Sequence, residues 1–98
     1  MFYVYILHSE SKERIYIGKT NDLKRRIKEH NAGQNVSTKG HRPWTLIFYE
    51  AYINEDDARR RERYLKTTQG HQAIRRMLKC QLEQHNKIRF EYQGSTTG

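Results

Sequence analysis

FYVYIL (residues 2–7), SESKER (9–14), IYIG (15–18) and then NDLKRRIKEH (21–30) form the stretch whose reading decides the fold. The first run is aromatic, β-branched and uncharged, which predicts a strand buried on both faces. A polar turn follows, then a short second strand, so the pair is most simply a β-hairpin. Gly18 ends that strand where backbone passes close to another group or where φ is positive.

Downstream of the hairpin, Asn21 suits a helix N-cap and Asp22 the positive end of the helix dipole. The helix is expected to run to about His30 or Asn31, with Gly33 as its stop. Leu23 and Ile27 define its inward stripe. Arg26 and His30 lie on or beside that stripe, while Lys24, Arg25 and Lys28 point elsewhere.

Residues 34–42 (QNVSTKGHR) read as a polar, basic loop, and residues 44–52 as a third strand. Asn54 then caps a second helix whose first turn holds Glu55, Asp56 and Asp57. Ala58 and Leu65 mark its inward side, and Glu62 falls between them, ringed by Arg59, Arg60, Arg61 and Arg63. A break at residues 67–70 precedes a third helix from about His71 to the Gln81 region, with Ile74, Met77 and Leu78 inward. Beyond Asn86 the pattern fades, and residues 91–98 read as a flexible tail. The expectation is one α+β domain over residues 1–90, with three strands and about three helices.

At 98 residues the chain holds one modest core. Its 11 aromatics, seven of them Tyr, exceed what such a core needs and point to a ligand-facing role for some. Lys+Arg 19 against Asp+Glu 11 gives a net charge of +8. That balance favours a polyanionic partner, held by counterion release from phosphates, over a merely soluble basic protein. Cys80 has no cysteine to pair with and sits among Met77, Leu78 and Leu82, so it reads as a buried structural thiol. The N-terminal apolar run is too short for a signal peptide or a membrane span, which predicts a cytoplasmic protein with no membrane partner.

Arg26, His30 and Glu62 are polar groups on otherwise apolar stripes, where an unpaired group costs several kcal/mol. Any one alone reads as structural: a buried Arg26–Glu62 ion pair and a satisfied core histidine. Together with Tyr5, Tyr16 and a basic chain they point to a site for phosphodiester cleavage. Glu62 suits one divalent ion that keeps most of its waters, and Arg26 suits phosphate oxygens. Tyr16 would take a proton from water with Lys19 and the ion stabilising its phenolate, and His30 and Tyr5 would position or relay. The five histidines lack zinc spacing with the single cysteine. Gly18-Lys19-Thr20 lacks the earlier glycine of a phosphate loop.

These residues resemble the GIY-YIG nuclease family, especially its small single-domain bacterial members. Tyr3-Val4-Tyr5 stands where the Gly-Ile-Tyr motif would be, and Tyr16-Ile17-Gly18 matches the second motif. Residues 21–30 resemble the family's first helix, with Arg26 at its arginine and His30 at a His or Tyr position. Residues 58–66 (ARRRERYLK) resemble the segment of the metal-binding glutamate, here Glu62. The resemblance spans roughly residues 2–79 and implies a three-stranded antiparallel sheet flanked by helices, with one Mg²⁺ or Mn²⁺. It also implies Tyr16 as the general base, supported by Tyr5, Lys19, Arg26 and His30. Tyr3 departs from the motif's glycine, and Thr67, Thr68 and Gln69 occupy the neighbourhood of a downstream asparagine that many relatives carry. The implied activity is a DNA endonuclease, structure-selective or weakly specific, in repair or recombination. Lys39 and Arg42 of the basic loop and Arg59 and Arg63 of the second helix are the expected nucleic-acid contacts. The same features admit RNA, leave room for a targeting partner protein, and fit an alternative, a non-catalytic nucleic-acid-binding module.

Overall fold

A computed structural model of the chain describes residues 1–84; His85, the domain limit at residue 90 and the expected tail lie outside the described residues. The element order is β1 (Phe2–Ser9), β2 (Ile15–Thr20), α1 (Leu23–Asn31), α2 (Val36–Lys39), β3 (Trp44–Tyr52), α3 (Glu55–Leu65), α4 (Thr68–Met77) and α5 (Lys79–Glu83).

The three strands form one antiparallel sheet in the order β2-β1-β3. β1 is central, which explains its uncharged sequence: Val4, Ile6 and Leu7 have no exposed surface. On β2, Tyr5 is paired with Gly18 and Leu7 with Tyr16. On β3 the register slips by one residue between Ile6 and Leu7.

Strand alternation splits the side chains between two faces. Val4, Ile6, Ile15 and Ile17 pack with Ala58 and Leu65 of α3 and Ile74 of α4. Tyr5, Leu7 and Trp44 pack on the opposite face with Tyr16, Leu46, and Leu23 and Ile27 of α1. Burying a side chain such as Leu65 or Ile74 is worth about 1.5–3 kcal/mol. Both have zero exposure, and they dock α3 and α4 on the first face.

Local chemistry corrects several expectations. The cap of α1 is Asp22 rather than Asn21: its carboxylate accepts from Arg25 N at 3.1 Å, while its own N–H goes to Thr20 Oγ1 at 3.1 Å. Thr20 thus moves the helix start one residue on. The loop at 34–42 contains the short helix α2, because Asn35 caps it through Ser37 N. The break expected at residues 67–70 is the first turn of α4, capped by Thr67 Oγ1 on Gly70 N at 3.0 Å. The helix stops at Leu78, and α5 follows as a separate turn. Met77 is 39% exposed rather than inward. Cys80 is exposed rather than buried, since α5 turns it away from Leu82, which packs on the core.

Candidate active site

Gly18 explains how Tyr5 reaches its place. A Cβ at Gly18 would lie 2.5 Å from both Cζ and Oη of Tyr5 and 2.9 Å from Cε2 of Tyr16. Its φ is not positive. The missing side chain is the space that the Tyr5 ring fills as it crosses from the central strand over edge strand β2.

There the Tyr5 hydroxyl meets Nε2 of His30 at 2.8 Å, and His30 Nδ1 meets Thr38 Oγ1 at 2.8 Å. The Tyr16 ring centroid is 4.9 Å from the His30 ring and 6.3 Å from Tyr5. His30 and Thr38 have no exposed surface, whereas Tyr16 is half-buried. Among the described residues no hydrogen bond holds the Tyr16 hydroxyl. The two phenols therefore differ: one is tied inside, the other is available.

Electrostatics sharpen the difference. Burial first, and then Tyr16, push the Tyr5 phenol above its ordinary 10, while Arg26 works against them. Tyr5 keeps its proton at physiological pH. Burial, helped by the Arg26 charge and opposed by Glu29, pulls His30 from 6.5 down to about 4. His30 is a neutral imidazole at pH 7.

A stability prediction follows from His30. The unfolded chain's imidazole takes up a proton near pH 6.5, but the folded one resists to about 4. The unfolded state thus binds more protons in between, and stability falls as pH drops through that window. The neutral-buried contribution is complete above pH 6.5 and declines by roughly 2–3 kcal/mol toward pH 4. Urea unfolding at pH 7.5 and 4.5 should show that loss in the wild type and a smaller one in His30→Gln. Equal losses in the two would contradict the assignment.

Arg26 is half-buried, donates to Glu29 Oε1 at 2.9 Å, and acts electrostatically on Tyr5 and Tyr16. The guanidinium is thus partnered by Glu29, one turn away on α1, and not by Glu62. Glu62 comes from α3, on the other sheet face, yet its charge reaches Tyr5. β2 is an edge strand, and α3 packs against it through Ile15 and Ile17. Glu62 receives Lys66 Nζ on Oε2 at 3.1 Å. Lys19 stands apart from Tyr16 by alternation and donates to Glu55 Oε2 at 2.9 Å, tying β2 to α3.

Among the described residues no group of three or more His, Cys, Asp or Glu side chains converges. The single, partly exposed carboxylate of Glu62 fits a hydrated divalent ion.

Of the expected nucleic-acid contacts, Lys39, the last residue of α2, and Arg42 just beyond it are exposed, with Arg42 Nε donating to Lys39 O at 2.8 Å. Arg59 pairs with Asp56 and Glu55, and Arg63 is exposed. Exposed pairs of this kind hold weakly in water and are screened by salt. Thr38 and Glu29 join the site without having been expected there. Glu29 meets Arg26 by the i,i+3 spacing of α1, a sign the sequence does carry, whereas Thr38 is a threonine in a polar loop that only the fold brings to His30.

Comparison with known proteins places the chain in a family. A family model described as the GIY-YIG catalytic domain matches residues 1–75. The chain is 36% identical over 87 residues to the UPF0213 protein CPE1444 of Clostridium perfringens, covering 88% of this chain and 92% of that one. It is 39% identical over 66 residues to the UPF0213 protein HQ_3675A of Haloquadratum walsbyi, covering 66% and 73%. Over 52 residues it is 44% identical to the UPF0213 protein YazA of Bacillus subtilis, covering 52% of each. No solved structure matches. No helix among the described residues is long and apolar enough to cross a membrane.

Proposed function

The chain belongs to the GIY-YIG catalytic domain family, a family of nucleases, and from that premise we propose that it is a divalent-metal-dependent endonuclease acting on DNA. The observation that carries this reading is the pairing of an available phenol, Tyr16, with a buried phenol–imidazole pair, Tyr5 and His30, beside Arg26.

Tyr16, acting as its phenolate, takes the proton from the attacking water as the water oxygen bonds to phosphorus. The P–O bond to the leaving oxygen breaks, and that oxygen takes a proton from solvent. Arg26 holds phosphate oxygens with its guanidinium fork and leaves one nitrogen on Glu29. Tyr5 stays protonated and gives the site a fixed hydrogen-bonding oxygen. Glu62 would hold the divalent ion, Mg²⁺ or Mn²⁺, which supplies charge neutralisation at the phosphate when bound. Lys19 acts at one remove, holding Glu55 and so the start of α3 against β2. Lys39, Arg42, Arg59 and Arg63 contact backbone phosphates, which favours structure-selective or weakly specific cutting in repair or recombination.

The test is cleavage of branched, nicked and single-stranded DNA with Mg²⁺ or Mn²⁺. Cleavage that requires the ion is expected. Salt-dependent binding with no cleavage under any ion would replace the nuclease with the binding module.

A further inference from the structure

We propose that Thr38 is a positioning residue for Tyr5, fixing through His30 the direction in which the Tyr5 hydroxyl donates. The assignment deepens the nuclease reading and rests on it for its catalytic consequence.

The buried Tyr5 hydroxyl has one acceptor among the described residues, His30 Nε2 at 2.8 Å, so its single hydrogen goes there and the imidazole proton sits on Nδ1. Thr38 Oγ1, 2.8 Å from Nδ1, then accepts that proton's hydrogen bond, and its own hydrogen points toward Asn35 O at 3.4 Å. A neutral imidazole protonated at Nδ1 has a lone pair at Nε2, and Tyr5 Oη, 2.8 Å away, donates into it. Every donor in the chain Tyr5–His30–Thr38–Asn35 then points the same way. The Tyr5 oxygen is left with its lone pairs turned to the site, where Arg26 acts on it. The reversed chain would set Nε2–H against Tyr5 and leave the buried Tyr5 hydrogen without an acceptor among the described residues.

Thr38 is well held for such a task. It has no exposed surface, and its carbonyl accepts Trp44 Nε1 at 2.9 Å. Asn31 grips the Trp44 backbone on both sides, with Oδ1 taking Trp44 N at 2.7 Å and Nδ2 giving to Trp44 O at 3.0 Å. The end of α1, helix α2 and the start of β3 thus meet at one polar knot. That knot holds in place the threonine that faces the imidazole. The neighbouring residue, Lys39, carries one of the exposed cations, so the loop that meets phosphate is continuous with the residue that sets Tyr5.

The experiment is nitrogen-15 NMR of the His30 ring in wild type, Thr38→Val and Thr38→Ser, with single-turnover cleavage on the same proteins. Wild type and Thr38→Ser should show the Nδ1–H tautomer, and Thr38→Val a mixture or the Nε2–H form. Cleavage by Thr38→Val should fall by about 10- to 100-fold in kcat with KM little changed, and Thr38→Ser should restore it. An Nε2–H tautomer in the wild type overturns the assignment even if Thr38→Val does not fold. So does a Thr38→Val protein with unchanged tautomer and rate. If the wild type cleaves nothing, the nuclease reading falls alone, and the tautomer pattern still supports or overturns the role of Thr38.

Discussion

A Tyr16→Phe variant is expected to fold and bind DNA like the wild type but to cleave it at least about 10²-fold more slowly, the usual effect of losing a general base. The change removes one oxygen and leaves the ring where it packs, 4.9 Å from His30 and 6.2 Å from Trp44 between centroids. No hydrogen bond among the described residues depends on that oxygen, so no partner is orphaned. The same substitution at Tyr5 strips a buried His30 nitrogen of its donor, a change that costs stability as well as rate. Single-turnover rates at saturating enzyme, with affinities measured by anisotropy in parallel, separate the two effects. Normal cleavage by Tyr16→Phe would move the base elsewhere, and lost binding would recast Tyr16 as a contact residue.

The largest loss of stability is expected at Gly70. A Cβ there would lie 2.0 Å from Tyr64 O and 2.5 Å from Leu65 Cα, both backbone atoms that cannot rotate away. α4 would have to lift off the end of α3, disturbing Leu65 and Ile74, two residues with no exposed surface. Overpacking ordinarily costs about 1–3 kcal/mol, and a clash with backbone belongs at or above the upper end. For a domain of this size about 3 kcal/mol lowers Tm by on the order of 15 °C. Gly40→Ala is the control, because its Cβ meets nothing within 4 Å. Thermal unfolding should place Gly70→Ala far below Gly40→Ala. Equal midpoints would mean that the two helices do not meet as described.

Gly70 also marks where sequence reading reaches its limit. As a glycine in TTQG it reads as a helix breaker, yet it lies inside α4 because only a hydrogen fits against α3. Close approach between helices is a tertiary fact, and a single sequence carries no sign of it. Gly18 was readable as far as its alternatives, close approach or positive φ, and the Tyr5 ring decides between them. The strands were the most legible part, since an uncharged central strand and alternation on its neighbours are written in the residues. Asn54 as a cap was legible for the same reason, its amide serving Asp56 N directly. Asp22 displaced Asn21 because Thr20 supplies a second hydrogen bond.

Among the site residues, Tyr5, Tyr16, Arg26 and His30 come together as the helical stripe of α1 and the hairpin register require. Lys19 does not join them. Alternation along β2 sends it to the other face, where Glu55 takes it. Thr38 was hidden because its partner, His30, is eight residues away across a loop whose path is set by Asn31 and Trp44.

The most direct measurement is cleavage of branched, nicked and single-stranded DNA by wild type and Glu62→Ala, each with Mg²⁺, with Mn²⁺ and with chelator. The wild type should cut at least one substrate only when a divalent ion is present, and Glu62→Ala should bind the same substrate without cutting it. Equal inertness of the two proteins on every substrate, or equal cutting by both, would contradict a phosphodiesterase centre built from Tyr16, Arg26 and Glu62.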